Sequence, residues 1–393
     1  MTFRQFKTNI FVIEGFNAFA TGLYFNWVFF YTKTLGFGVA ENLGLVALHG
    51  LIYTPAAWFG GWFAHRFGNY PSLKIGFVLM AIALGAGSFL PFKSGQIAVM
   101  LLWTFGMCFT WPTLQSLVGD GEEVRGLPRM AGIYNVVWSA FSALSFFLGG
   151  VLFQYLGIKS LFWIPAVIHI GQLGLVFFLE RKFKQLIPPV PPEKIAALPV
   201  SETLEEIAGR KKFLRYALMA NPFAYVAINT AIPMIPQVAA RFELSHALTG
   251  VFCSVWFFTR MSAFILFWLW PGWHYRFGIL LAAKIALAGS FLGILLAPQL
   301  WILLVAQILF GLSIGLIYYS SLYYSMHGGA AKKQHGGAHE AMIGLGTLVG
   351  AGVGIGAKLF FPEVAGISVW AVSGLLFCGM LALIWLRYRK QKG

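Results

Sequence analysis

Twelve stretches of about twenty apolar residues, joined by short loops that hold most of the charge, leave this chain few ways to fold. A helix needs about 20 such residues to cross ~30 Å of hydrocarbon. Within lipid, every backbone donor and acceptor must be satisfied internally. The stretches fall near residues 8–31, 43–64, 73–92, 96–118, 130–155, 158–180, 213–238, 248–270, 278–297, 300–325, 338–361 and 366–387. They predict an all-α integral membrane protein with twelve transmembrane helices.

Composition excludes the soluble classes. The chain is 59% hydrophobic and 10% charged, whereas soluble domains carry roughly 25% charged residues. A net charge of +15 would suit nucleic acid only if the bases formed an accessible face, and here they sit in short loops. No nucleic-acid partner is expected. Read through the positive-inside rule, a cytoplasmic amino terminus leaves only Lys33, Lys93, Lys159, Arg241 and Lys358 on the far side and Arg260 within a helix. Both termini are then cytoplasmic, in a cell membrane, the inner membrane if the source is bacterial. The first apolar run exceeds 20 residues without a clear small-residue cleavage site, so it reads as a retained helix. Cys108, Cys253 and Cys378 lie far apart in apolar runs, which fits neither a disulfide framework nor a metal site.

A short basic turn occurs twice. Gly60-Gly61-Trp62-Phe63-Ala64-His65-Arg66-Phe67-Gly68 leads to Lys74-Ile75, and Gly272-Trp273-His274-Tyr275-Arg276-Phe277-Gly278 leads to Lys284-Ile285 about 210 residues later. Other pairs keep nearly the same offset, Asn17-Ala18-Phe19-Ala20 with Asn221-Pro222-Phe223-Ala224 and Phe105-Gly106 with Phe310-Gly311. The chain is a doubled six-helix unit. Residues 1–180 and 213–393 are expected to form two pseudo-symmetric bundles. Residues 181–212 form a cytoplasmic linker, extended through Pro188-Pro189-Val190-Pro191-Pro192 and helical from the Thr203-Leu204-Glu205-Glu206 capping box.

The turn after the second span resembles the loop signature of the major facilitator superfamily, with Arg66 and Gly68 in place, His65 where that family usually has an aspartate and Asn69 where it usually has a base. The resemblance implies two six-helix halves related by an axis along the membrane normal. It also implies a central cavity lined by the first, fourth, seventh and tenth helices. A cytoplasmic gate at the repeated loops would involve Arg66, Gly68, Lys74, Arg276 and Gly278.

Ionisable groups within membrane helices are costly and mark function by default. Glu14 and Arg260 qualify, and Glu340 lies nearer a helix end; these three are the candidates for proton coupling, with Glu14 as carrier and Arg260 as its cross-bundle partner or an anion anchor. Asn17, Thr21 and Tyr24 recur with Glu14 at intervals of three and four, on one helical face. Trp111 and Gln115 extend the cavity set on the fourth span, Asn221, Tyr225 and Asn229 on the seventh, Gln307 and Tyr318 on the tenth. Tyr323 and Tyr324 are expected to anchor the membrane interface. His335 and His339 stand four apart, yet His-Glu-x-x-His order and a third ligand are missing, so no metal is expected.

The residues together read as a secondary transporter of a small organic solute working by alternating access. No nucleotide-binding loop is present, no cofactor is expected, and the lack of clustered carboxylates favours protons over sodium as the coupling ion, by symport or antiport. A monomer is expected. Two other readings stay open. A sensor of the same fold without transport would fit the altered loop. A proton-driven exporter of amphipathic compounds would fit Gly149-Gly150, although Ser145-Phe146 replaces the Gly-Pro of that motif. A membrane-embedded enzyme lacks a convergent catalytic set.

Overall fold

The computed structural model describes residues 3–122, 126–183, 204–326 and 332–389. The helices are α1 (Phe3–Thr34), α2 (Val39–Phe67), α3 (Asn69–Gly87), α4 (Lys93–Gly119), α5 (Leu127–Leu156), α6 (Ser160–Phe183), α7 (Leu204–Ala231), α8 (Ile235–Arg241), α9 (His246–Phe252), α10 (Val255–Leu269), α11 (Phe277–Leu296), α12 (Leu300–Met326), α13 (Lys332–Phe360) and α14 (Ile367–Tyr388). Eleven spans among the described residues are long and apolar enough to cross a membrane. The twelfth, α1, is 32 residues long, but buried Glu14, Asn17, Thr21 and Asn26 dilute its apolar character. It is a helix sheltered by protein.

Two of the twelve crossings are broken. Pro233 and Pro236 remove backbone donors, so the seventh passes from α7 through a 3₁₀ turn, Ile232–Met234, into α8. The eighth is interrupted at Cys253–Ser254, between α9 and α10. Ser245 caps α9 by accepting the Leu248 N–H at 3.3 Å. At the other end of the linker, α7 starts at Leu204 and runs unbroken into the membrane span. The proline run and Thr203 lie outside the described residues.

Close approaches depend on glycine. In α13, Gly344 faces Thr54 of α2, while Gly346 and Gly350 face Pro222 and Val226 of α7. The helix is thus wedged between α2 and α7, where small residues let backbones approach closely. Gly352 and Gly356 have no such neighbour. Along α5, Gly132 sits against the Trp268 ring of α10 and Gly150 against the His246 carbonyl of α9. These two contacts join α5 to the second set of helices on both sides of Trp138 and Ser142.

On the side that holds both termini, Lys7 closes the end of α4. Its Nζ donates to the carbonyls of Leu117, Val118 and Asp120 at 3.0, 2.6 and 2.7 Å and pairs with Glu122 at 3.7 Å. A helix C-terminus leaves carbonyls unsatisfied and attracts cations. On the opposite side, the His246 ring packs 4.6 Å from Phe153 and 5.8 Å from Phe30, and Ala247 N–H donates to Gln154 Oε1 at 3.0 Å.

Candidate functional site

A cavity of about 170 Å³ lies at the centre, walled by α1, α2, α4 and α5 on one side and by α7, α10, α12 and α13 on the other. Six residues named from helical spacing reach its wall: Thr21, Trp111, Gln115, Tyr225, Asn229 and Tyr318. Asn229 Nδ2 donates to Thr347 Oγ1 at 2.7 Å, which ties α7 to α13 at the wall.

Four do not reach it. Asn17 and Asn221 are fully buried in helix packing away from the wall. Tyr24, also fully buried, turns towards α4 and α6, its ring 5.0 Å from Trp103 and 5.9 Å from Phe162. Gln307 repairs the break before α10 instead, donating Nε2 to the Phe252 carbonyl at 2.7 Å and accepting the Trp256 N–H at 3.5 Å. A broken helix in a membrane leaves backbone groups that need such a partner. Tyr324 is a further correction. It is buried rather than at the interface, and its hydroxyl accepts the Tyr275 N–H at 2.8 Å; Tyr323 stacks on His274 at 4.2 Å.

Arg260 of α10 is on the wall and only 6% exposed. Its guanidinium carbon lies 4.7 Å from the Trp138 ring centroid, 5.2 Å from Trp256 and 5.3 Å from Phe257. Its Nε has no hydrogen-bond partner. The ion pairs among the described residues are Lys7–Glu122, Lys74–Glu180 and Lys93–Glu41, none of which includes Arg260. Ring faces, each contributing ~0.5–2 kcal/mol to a nearby cation, therefore take the place of a carboxylate. Trp256 and Phe257 precede Arg260 by four and three residues, a spacing that could have revealed them. Trp138 comes from α5, and no local pattern pointed to it.

Glu14 does not meet Arg260. It is fully buried, its carboxyl faces the Tyr134 side chain of α5, and no cation among the described residues lies in ion-pair range of it. The reason lies in packing: α1 leans on α5 here, with Gly15 against the Phe141 ring, so the polar stripe passes under α5 before it emerges at Thr21. Tyr134 is one turn from Trp138, whose Nε1 donates to Asn135 Oδ1 at 3.0 Å. The Glu340 side chain and those of His335 and His339 lie outside the described residues.

His49, intramembrane by sequence and expected only to be satisfied by a neighbouring group, reaches the wall from α2. The Thr104 hydroxyl donates to the Met100 carbonyl at 2.7 Å, so its contact with His49 Nδ1 at 2.8 Å is accepted from the ring N–H. The tautomer follows from that count of donors.

The repeated loops differ in detail. Gly68 has φ +100°, a conformation that favours glycine, and Asn69 Nδ2 donates to Asp120 Oδ2 at 3.2 Å. Gly278 is helical, and the left-handed residue in the second loop is Tyr275, φ +56°. Arg66 and Arg276 are exposed. Lys74 does not reach across to the second set of helices; it pairs with Glu180 of α6 at 2.5 Å. Its repeat counterpart Lys284 is buried, its Nζ 4.1 Å from the Phe223 ring centroid and without a hydrogen-bond partner.

A family model described as Major Facilitator Superfamily matches residues 2–127 and 122–357. Over 271 residues the chain is 27% identical to the methylenomycin A resistance protein of Bacillus subtilis (strain 168). That stretch covers 64% of this chain and 54% of the relative, so the match spans about half of the relative's length. The fold is similar to that of the POT family transporter PepTSo, with a TM-score of 0.76 and 12% identity over 100% of both chains. It is also similar to the nucleoside transporter NupG, with a TM-score of 0.72 and 12% identity over 98% of this chain and 99% of that one. At such identities the likeness is one of fold alone.

Proposed function

The chain belongs to the major facilitator superfamily, a family of membrane transporters, and from that premise we propose that it moves a small organic solute across a cell membrane by alternating access, coupled to protons. The observation that carries this reading is the central cavity, walled from both sets of helices and holding one buried arginine without an acid beside it. In this reading α1–α6 and α7–α14 are two halves that rock about the cavity, with both termini cytoplasmic. The α5 contacts at Gly132 and Gly150 separate in turn.

Glu14 is the proton carrier. No ion pair must break when its charge changes, and its neighbour Tyr134 shares α5 with Trp138, which touches Arg260. A change of charge at Glu14 is thereby transmitted to the cavity through one helix. Thr21, Trp111, Gln115, Tyr225, Asn229 and Tyr318 contact the solute. Arg66 and Arg276, on exposed loops at the terminal side, hold the cytoplasmic gate.

Purified protein in proteoliposomes, given an inward proton gradient, is expected to accumulate radiolabelled members of one solute class. Specific binding without flux under any gradient would make the chain a sensor instead.

A further inference from the structure

We propose that the cavity takes an organic monoanion with a flat apolar body, a carboxylate in the simplest case, held by its charge against Arg260. This rests on the transport reading above and adds to it the class of substrate.

Arg260 is the one Lys, Arg, Asp or Glu on the described wall. Its neighbours are the faces of Trp138, Trp256 and Phe257, with the Tyr225 and Tyr318 side chains close enough to act on its charge. A ring face attracts a cation but is no match for a carboxylate as a hydrogen-bond acceptor. A guanidinium presents five N–H donors in a planar fork, and here Nε is buried without an acceptor. A carboxylate on the ligand can accept two of these donors at once, a contact both strong and directional.

The ligand's charge count follows from the same wall. A neutral solute would leave the guanidinium unpaired at membrane depth. A dianion would bring a second charge with no further Lys or Arg on the described wall to meet it, which an apolar site penalises heavily. One negative charge balances the site. The body follows from the rest of the wall, where Trp103, Trp111, Tyr225 and Tyr318 offer ring surface and Gln115 an amide. Broad aromatic surface with amides and hydroxyls set between the rings suits a flat, largely apolar ligand.

The test uses full-length protein in nanodiscs and three carboxylates, benzoate, phenylacetate and 1-naphthoate, each against its own primary amide, with phthalate as dianion. Ligand-dependent thermal stabilisation reads binding. At least one carboxylate is expected to bind tenfold or more tighter than its amide and than phthalate. Arg260→Gln should erase that difference while keeping the weak response to amides. Arg260→Lys, which retains the charge without the fork, should keep part of it and guards against a folding defect in Arg260→Gln. If no carboxylate exceeds its amide in the unaltered protein, or if the advantage survives Arg260→Gln, the proposal is overturned. Tracer flux separates the two readings. A carboxylate that binds through Arg260 and is never transported removes the transport reading and leaves the site, whereas equal flux of amides and carboxylates does the reverse.

Discussion

The Arg260 guanidinium lies 4.7 Å from the centre of the Trp138 ring, a contact between α10 and α5 at the wall of the central cavity. Trp138 also meets Trp111 at 5.8 Å, Tyr318 at 5.6 Å and Phe264 at 5.6 Å. One ring thus touches α4, α10 and α12, and its movement with α5 changes what Arg260 meets.

Trp138→Ala is expected to weaken solute binding about tenfold, equivalent to about 1.4 kcal/mol, because it removes one of three faces around the cation. Trp138→Phe, which keeps an aromatic face, should recover most of it. Titration of the purified protein with a bound solute checks both. An unchanged affinity in Trp138→Ala would mean that the contact has no part in binding.

Glu14→Gln should abolish accumulation driven by a proton gradient and leave exchange between two equal solute pools largely intact. The glutamine keeps the shape of a side chain buried beside Tyr134 but cannot change charge. Uptake and exchange measured in the same proteoliposomes decide it. Full gradient-driven accumulation by Glu14→Gln would remove the carrier role.

Gly150→Val places methyl groups where the His246 carbonyl lies against the α5 backbone. The overpacking, typically costing 1–3 kcal/mol, should force α5 from α9 and shift the population towards a state open on the side away from the termini. Cysteine pairs at that end should cross-link less. No change in cross-linking would show that α5 and α9 do not part in the cycle.

Arg66→Ala should favour the state open on the terminal side, since the exposed loop after α2 is proposed to hold that gate. Cross-linking of helix ends there, with and without solute, reads the shift. A distribution unmoved under both conditions would assign the loop to folding alone.

Tyr324→Phe deletes the acceptor for the Tyr275 N–H while preserving the ring packing. It should destabilise the protein by about 1–2 kcal/mol, measurable as a lower midpoint in thermal unfolding. An unaltered midpoint would mean that the left-handed turn at Tyr275 stands without this bond.

Length and apolarity determined eleven of the crossings, because backbone groups in lipid allow no other use for such segments; α1, with buried Glu14, Asn17, Thr21 and Asn26, falls short on apolarity and is sheltered by protein. Helical period also identified Thr21 with Trp111 and Gln115 as wall residues, since side chains three or four apart share a face. The same period misplaced Tyr24. A residue three positions on is about 60° away around the helix, and the packing of α4 and α6, which decides where the stripe ends, is not written locally. Repeat symmetry aligned Lys74 with Lys284, yet only the tertiary structure gives Lys74 an acid at Glu180 and sets Lys284 on the Phe223 ring. Glu14 and Arg260 were legible as functional candidates from the cost of charge in a membrane. That they stand apart, with Tyr134 beside one and Trp138 over the other, was decided by the lean of α1 on α5, a contact between helices whose residues lie more than a hundred positions apart.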